Sequence, residues 1–279
     1  MKKIVLFLLS ISFPAFLCAP ALAATSTNTN TPLSGYPGFM LGHGYHHSVS
    51  GTAALTSENW SGYAATGNSG AFTSVTSTWV QPAVNCAALP KNAYSAYWVG
   101  LDGYSDSTVE QIGTEADCVR NQPVYDAWYE MYPSNPYEVS ANISVVPNNS
   151  YTASVVYTPG TTTTTRKRNR TVVTTTPASY SLSLANNTTG RTYSVTLSPR
   201  QTYARSSAEV ITEAPYSGGI LPLADYGTVN YTHATVNGSP LGAAPGLEDI
   251  IMQNPAGMTS TPSSFDVTDE NFAVTWSAS

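Results

Sequence analysis

Two acidic residues and one amide are the side chains whose types and spacing could carry out chemistry. The segment Ala208–Glu213 reads AEVITE, and the alternation of an extended strand places Glu209 and Glu213 on the same face. Gln111 lies far upstream, in VEQIG. A carboxylate can take up and return a proton, and an amide N–H can stabilise an oxyanion at any pH. The pattern is compatible with a hydrolytic site, although acids exposed on a solvated strand face are the commoner arrangement.

Aromatic and acidic side chains lie close together in two further segments, YWVGLDG and YDAWYE. The first contains Trp98 and Asp102, and in the second the strand period places Trp128 and Glu130 on one face. A tryptophan beside carboxylates suits a groove for an extended peptide, and it suits a carbohydrate-binding groove equally well. These residues predict a polar cleft without fixing its substrate.

The segments that carry these residues have the period of β-strands. From about Ser57 onward, hydrophobic residues alternate with polar ones, as in Tyr151–Tyr157 and Tyr180–Leu184, and Asn187–Gly190 has the composition of a turn. The same region shows no helical period. The pattern predicts one all-β domain over residues 56–279, a concanavalin-like β-sandwich of two antiparallel sheets. Its concave face would form the substrate cleft.

The first residues have the features of a secretory signal peptide. Met1-Lys2-Lys3 is followed by an apolar run to about Leu17 and by the small-residue cleavage site Ala21-Leu22-Ala23. Because the run is too short to span a bilayer, residues 1–23 are predicted to be removed and the protein to be secreted. A retained anchor is the alternative, and no membrane association is expected once the segment has been removed.

Residues 24–55 are rich in Thr, Asn, Gly, Pro and His and contain no acidic residue, which predicts a propeptide or flexible leader. The segment contains His43, His46 and His47, so it is either a pH-sensing prosegment or a solvated tail with weak metal affinity. His233 is the one histidine of the predicted domain, which disfavours a histidine-based catalytic site.

Loss of the signal peptide leaves two cysteines, Cys86 and Cys118, and an even pair in an exported protein predicts a disulfide. The bridge would enclose the segment Trp98–Gln111 and contribute about 3–4 kcal/mol in the chain-entropy model. Two free thiols are the alternative. A zinc site is not expected from two cysteines alone, and no metal or organic cofactor is predicted.

Charged residues make up 10% of the chain, which has a formal net charge of -6. A surface with few carboxylates changes little in acid, and the negative balance disfavours a nucleic-acid partner. The segment 161–176 is an exception, because its threonine runs flank Arg166, Lys167, Arg168 and Arg170. It is either a basic patch for an anionic polymer or cell envelope, or a solvated hairpin tip.

Seven short motifs occur in an order that resembles the glutamic peptidases (eqolisins). They are NWSGY (59–63), STWVQP (77–82), WVGLDG (98–103), EQIGTE (110–115), YDAWYEMYP (125–133), AEVITE (208–213) and LPLADYG (221–227). Each motif alone is weak evidence, whereas the ordered set spans most of the predicted domain. The resemblance implies that Gln111 and Glu213 are the catalytic pair. It implies supporting roles for the cleft residues Trp98, Asp102, Glu115 and Glu130, and it leaves the role of Glu209 undefined.

The resemblance implies a secreted, metal-independent acid endopeptidase that acts on polypeptides without a cofactor. Nothing in the sequence requires more than a monomer. Its glutamate would activate water as a general base and then serve as the acid, while its glutamine would stabilise the oxyanion. The chain departs from the family pattern at Ile112, where Thr is usual, at Glu115, where Asp is usual, and at Val210, where an aromatic residue is usual. The segment 161–176 has no counterpart in that pattern. Together with the Lys2-Lys3 start, these departures predict a bacterial rather than a fungal member.

Two carbohydrate-related functions also fit a β-sandwich with tryptophans and acids on one face. A retaining glycosidase needs two carboxyl groups about 5 Å apart. Glu209 and Glu213 are too distant, since four residues of extended strand span about 13 Å, whereas Glu130 and Glu213 could form such a pair. A lectin-like carbohydrate-binding module without turnover is the third possibility.

Overall fold

The structure is a computed structural model that describes residues 47–48, 55–87, 90–168 and 170–278. The predicted signal peptide and most of the predicted leader lie outside the described residues. Within those residues, no helix has the length and apolar character needed to cross a membrane. Secretion and the boundary of the leader therefore stay predictions.

The described part of the chain is built almost wholly from β-strands, with one short 3-10 helix at Leu241–Ala243. The strands are β1 (His47–Ser48), β2 (Leu55–Ser57), β3 (Trp60–Thr66), β4 (Ser74–Val80), β5 (Asn92–Ala93), β6 (Ala96–Leu101), β7 (Val109–Glu115), β8 (Asp117–Val119), β9 (Gln122–Val124), β10 (Ala127–Tyr132), β11 (Tyr137–Glu138), β12 (Ser150–Thr158), β13 (Thr161–Lys167), β14 (Arg170–Thr176), β15 (Ser179–Asn186), β16 (Arg191–Leu197), β17 (Ser207–Glu213), β18 (Thr228–Val236), β19 (Ser239–Pro240), β20 (Leu247–Gln253), β21 (Met258–Pro262) and β22 (Phe272–Ala278).

Two layers of strands form the sandwich. The site sheet has the strand order β1-β2-β20-β3-β17-β6-β7-β10-β11. The back sheet has the order β21-β22-β18-β4-β12-β15-β16, and β20 pairs with β21 to join the two. The predicted all-β sandwich is confirmed, and the turn predicted at Asn187–Gly190 does join β15 to β16.

One pairing differs from the antiparallel expectation. Strand β2 runs parallel to β20, with Leu55 opposite Ile250. Parallel neighbours need a long connection. The intervening domain supplies it, because β2 is one of the first strands of the sheet along the chain and β20 one of the last. Strand β1 pairs with β2, so His47 and Ser48 of the predicted leader form the edge of the site sheet.

The hydrophobic core lies between the two sheets. Alternate residues of the back sheet, such as Trp79 and Tyr151, are fully buried against Tyr97 and Ile112 of the site sheet. Full burial of a large apolar side chain contributes about 1.5–3 kcal/mol. One polar pair in this core is satisfied across the layers, since Trp79 Nε1 donates to Thr114 Oγ1 over 3.0 Å. The core fixes the site sheet on one face and leaves its other face, here called the outer face, for function.

The disulfide predicted from the sequence is present between Cys86 and Cys118, which are separated by 32 positions in the chain. Cys118 lies in β8, the middle strand of the small sheet β5-β8-β9 next to the site sheet. Closing a loop of this size contributes about 4 kcal/mol in the chain-entropy model, because the bridge restricts the unfolded chain. The enclosed segment contains the whole of β6 and of β7, so the bridge stabilises two strands of the site sheet.

Candidate active site

The pairing register brings three predicted site residues, together with Gly100, into one row across the outer face. Glu209 of β17 lies opposite Gly100 of β6, Gly100 lies opposite Gln111 of β7, and Gln111 lies opposite Glu130 of β10. Residues that are paired across neighbouring strands point to the same side of the sheet. Because Gly100 has no side chain, nothing separates the carboxyl of Glu209 from the amide of Gln111 within this row, here called the Gln111 row.

Glu213 lies in a different row. It is opposite Ala96, which in turn is opposite Glu115, so these three residues form what is here called the Glu213 row. Four residues of β17 separate Glu213 from Glu209, about 13 Å of extended strand. The register therefore places Glu213 and Gln111, the pair that the resemblance implies, in different rows of the same face. Strand period shows which residues share a face, but only pairing shows which of them are opposite.

A third row, which contains two tryptophans, lies between the two acidic rows. It consists of Ile211, Trp98, Gly113 and Trp128, which are paired in that order across β17, β6, β7 and β10. The ring of Trp98 also packs edge-on against Trp60, with centroids 5.0 Å apart. These indoles form an apolar wall along the outer face, between the Gln111 row and the Glu213 row.

The amide of Gln111 is oriented by Glu130. Gln111 Nε2 donates to Glu130 Oε2 over 2.8 Å, whereas Gln111 Oε1 has no hydrogen-bond partner among the described residues. Both side chains are fully buried. A hydrogen-bonded carboxylate fixes which end of the amide is the donor, so the N–H₂ group is held in the row and its second N–H is left for another acceptor.

Glu209 is the chemically exceptional carboxyl of the Gln111 row. It is fully buried, and neither of its oxygens accepts a hydrogen bond of ordinary geometry from the described residues. Burial raises the pKa of Glu209 well above its usual range, and the charges of Asp102, Asp106 and Glu110 raise it further, while the nearby Ser207 hydroxyl lowers it. A buried carboxyl without donors is costly to ionise, which is typical of groups kept for chemistry rather than for stability.

Glu213, by contrast, is held by donors. Trp98 Nε1 donates to Glu213 Oε2 over 2.8 Å, and Asn59 Nδ2 donates to Glu213 Oε1 over 3.2 Å. Burial raises the pKa of Glu213 to about 7, and the bonds from Trp60, Trp98 and Asn59 oppose that shift. Asn59 and Trp60 were not predicted as site residues, although both stand in the NWSGY motif. The observed contacts fix the orientation of the Trp98 indole.

Asp102 connects the end of β6 to the segment before β17. Its carboxylate accepts the backbone N–H of Arg205 over 2.6 Å and that of Ser206 over 2.8 Å. Burial raises the pKa of Asp102 to about 6, although both backbone bonds favour the ionised form. Because β17 begins at Ser207, these two hydrogen bonds fix the position of its first residues and so help to hold Glu209 opposite Gly100. Asp102 therefore acts on the site through backbone position.

Glu115 lies at the far end of the outer face, beside Glu213 rather than beside Gln111. Burial raises the pKa of Glu115 well above its usual range, and the charges of Asp117, Asp126 and Glu213 add to the effect. Glu130 and Glu213 lie in different rows, so they do not form the close carboxyl pair that a retaining glycosidase requires. Among the described residues, no three His, Cys, Asp or Glu side chains are grouped as a metal site requires.

The gap at Gly100 gives a direct test of the Gln111 row. A Cβ at position 100 would lie 2.8 Å from Trp98 Cζ3 and would enter the space between Glu209 and Gln111. We expect Gly100→Ala to lower kcat/KM by about tenfold to a hundredfold, because small displacements of reacting groups have effects of that size. Gly219→Ala is the matched control, since a Cβ there meets nothing within 4 Å. Equal activity of the two variants would show that the gap is irrelevant.

Comparison with known proteins agrees with this architecture. The model of the Peptidase A4 family matches residues 58–172 and 169–276, two ranges that meet in the hairpin β13–β14. Aspergillopepsin-2 of Aspergillus niger is 28% identical over 233 residues, which cover 75% of this chain and 76% of that protein. Scytalido-glutamic peptidase with a transition state analog inhibitor superposes with a TM-score of 0.59 and 24% identity, over 79% of this chain and 98% of the other.

A third similar protein is SCP-B, an eqolisin solved in a complex with the tripeptide Ala-Ile-His. It superposes with a TM-score of 0.50 and 22% identity over 80% of this chain and 98% of the other. These structural likenesses show a shared fold. The family match itself extends over most of the described residues and includes every strand of the Gln111 row. The chain therefore belongs to the Peptidase A4 family and is a glutamic endopeptidase.

Proposed function

We propose that this protein is a secreted acid endopeptidase that hydrolyses peptide bonds with a carboxylate–amide pair on the outer face. Family membership supports polypeptides as the substrates. Scytalido-glutamic peptidase, which shares the fold, is solved with a peptide-based transition state analog. The single observation that carries the chemistry is the Gln111 row, in which a buried carboxyl without donors and an oriented amide flank a glycine gap.

Glu209 is our choice for the catalytic carboxyl, with Glu213 as the alternative that the motif comparison favours. What supports Glu209 is its position across Gly100 from Gln111 and the absence of donors to its oxygens among the described residues. What weakens Glu213 is that both of its oxygens already accept hydrogen bonds, from Trp98 and Asn59, in a row that does not contain Gln111. The catalytic role of Glu213 stays a prediction that direct substitution tests.

The mechanism uses one carboxyl group twice. Ionised Glu209 removes a proton from a water bound between it and Gln111, and the water oxygen attacks the carbonyl carbon of the scissile bond. The Gln111 N–H₂ group donates to the oxygen on which negative charge develops. Protonated Glu209 then gives its proton to the leaving nitrogen, and the C–N bond breaks. The carboxyl is ionised again once the proton has left with the new amine.

The other residues of the outer face position this pair. Glu130 holds the Gln111 amide through the 2.8 Å hydrogen bond, and Asp102 sets the height of β17 through two backbone bonds. The indole of Trp98 lies between the rows and would form a wall beside an extended peptide. Glu115, in the Glu213 row, is distant from the reacting atoms and is proposed only as part of the cleft.

The burial of Glu209 and Gln111 indicates that the enzyme needs an activation step. Glu209 and Gln111 are fully buried in the full chain, so a peptide can reach them only after the outer face has opened. We propose that the signal peptide 1–23 and the leader up to about residue 55 are removed before the enzyme is active. Opening also removes the desolvation that raises the pKa of Glu209, so the carboxyl returns toward its ordinary range near 4.3 and can act as a base in acid. No further subunit is required by this mechanism.

The test is hydrolysis of denatured casein by the signal-free protein across pH 2 to 7, with pepstatin and a chelator present. We expect cleavage confined to acid and insensitive to both compounds, accompanied by loss of the leader before about Glu58. The reason is that the base is one carboxyl group and that the chemistry involves neither an aspartic pair nor a metal ion. If a folded protein without its leader cleaved nothing at any pH, the peptidase assignment of the site would be wrong.

A further inference from the structure

The hairpin formed by β13 and β14 projects from the sandwich as a free arm. It continues the ladder of β12 and β15, because Thr158 pairs with Ser179 and Thr161 pairs with Thr176 in the same register. Beyond that point the two strands pair only with each other. Seven residues of strand extend about 23 Å, so the tip lies far from the core. Every residue of the hairpin whose burial is described is exposed.

The charge of the chain is segregated around this arm. Residues 139–208 contain no Asp or Glu, although the whole chain has 17 of them. The same stretch contains seven of its 11 Lys and Arg residues. Four of these, Arg166, Lys167, Arg168 and Arg170, are at the tip of the hairpin. Strand alternation places Arg166 and Arg170 on opposite faces, so the positive charge surrounds the tip.

Three features of the arm restrict its partner. It contains no aromatic side chain on which a nucleic-acid base could stack. Its tip has no large apolar residue that could enter a bilayer, since Val172 and Val173 stand lower on β14. Arginine remains charged at every accessible pH, and a cluster of such charges attracts phosphate groups. The arm is therefore suited to a flexible polyanion that is bound through charge alone.

We propose that the tip of this hairpin is a docking surface for a phosphodiester polymer with a polyol or sugar backbone. The choice of phosphate over carboxylate rests on the proposed acid activity, whereas the docking surface itself does not. Carboxyl groups of a polymer are neutralised as the pH falls through their pKa near 4, but phosphodiesters keep their charge. The enzyme would therefore stay bound to a phosphate-bearing polymer at the acidic pH at which it is proposed to cleave peptides.

The test measures binding of the full chain to fluorescent poly(glycerol phosphate) at pH 4 by anisotropy. We expect the affinity to fall about fiftyfold between 50 and 200 mM salt. This is the salt dependence of a protein that neutralises about four phosphates of a single-stranded polymer. The variant with Arg166, Lys167, Arg168 and Arg170 replaced by Gln should lose this binding and its salt dependence. Replacing the three arginines by Lys should preserve both, and all variants should hydrolyse a short neutral peptide equally.

Matched controls distinguish binding at the tip of the hairpin from binding to positive charge elsewhere on the protein. Replacing the exposed Arg120 and Arg191 by Gln should leave binding unchanged, because both lie outside the hairpin. Polyglutamate should bind at pH 7 and bind more weakly at pH 4, where a large part of its carboxyl groups is protonated. The proposal is overturned if poly(glycerol phosphate) does not bind, or if the four-Gln variant binds as well as the original chain. It is also overturned if single-stranded DNA or phosphatidylglycerol vesicles bind more tightly at equal phosphate concentration. Loss of binding with retained peptide hydrolysis leaves the proposed peptidase function intact.

Discussion

Replacement of Glu209 by Gln should abolish proteolysis, with kcat/KM reduced at least about a thousandfold, because the group proposed to act as base and then as acid is removed. Gln111→Ala should reduce kcat/KM by about a hundredfold to a thousandfold, the usual effect of deleting one oxyanion donor. Hydrolysis of casein or of a quenched peptide at the pH of highest activity of the unchanged protein provides the measurement. Circular dichroism of each variant checks that the sandwich has formed.

Glu213→Gln is the decisive comparison for this result. Its carboxyl is bonded to Trp98 and Asn59, and a glutamine can keep one of these bonds, so we expect a loss below about tenfold. The ordered motifs by themselves would assign the larger loss to Glu213. If Glu213→Gln is inactive and Glu209→Gln retains near-normal activity, the catalytic carboxyl is Glu213 and the geometry of the Gln111 row has been misinterpreted.

The protein should be most stable in acid and should lose stability as the pH rises. Burial raises the pKa of Asp102 to about 6 and that of Glu213 to about 7, and it raises those of Glu110 and Glu209 well above their usual range. Between the unfolded pKa, near 4, and these raised values, the native state binds more protons than the unfolded state. The free energy of unfolding therefore decreases with pH across that window. The raised pKa of Glu213 alone lowers the free energy of unfolding by about 3 kcal/mol at pH values above 7, relative to acid.

Urea unfolding at pH 4 and at pH 7.5 measures this effect. Glu110→Gln is the informative variant, because Glu110 is fully buried on the core face and neither of its oxygens has a hydrogen-bond partner among the described residues. An amide cannot ionise, so the variant should show a smaller difference between the two pH values. Asp249→Asn, at an exposed position, serves as the control. A midpoint that rises from pH 4 to pH 7.5 would mean that these carboxyls are not buried in solution.

Much of the fold could be predicted because its signals are local. The alternation in Tyr180–Leu184 and the turn at Asn187–Gly190 depend only on neighbouring residues, and both are confirmed. The pairing of Cys86 with Cys118 needed only an even cysteine count in a chain predicted to be exported, and it is present. The parallel contact of β2 with β20 was not predictable in this way, because it joins segments from opposite ends of the domain.

The sequence by itself determined which side chains could share a face, namely Glu209 with Glu213 and, on β10, Trp128 with Glu130. It could not determine which of these residues lie opposite Gln111, and that was decided only by the tertiary structure. The physical reason is that a strand's side-chain period is set by its own backbone, whereas register is set by packing and hydrogen bonding with strands distant in the chain. The same limit applies to Asn59, whose bond to Glu213 spans 154 positions of the sequence.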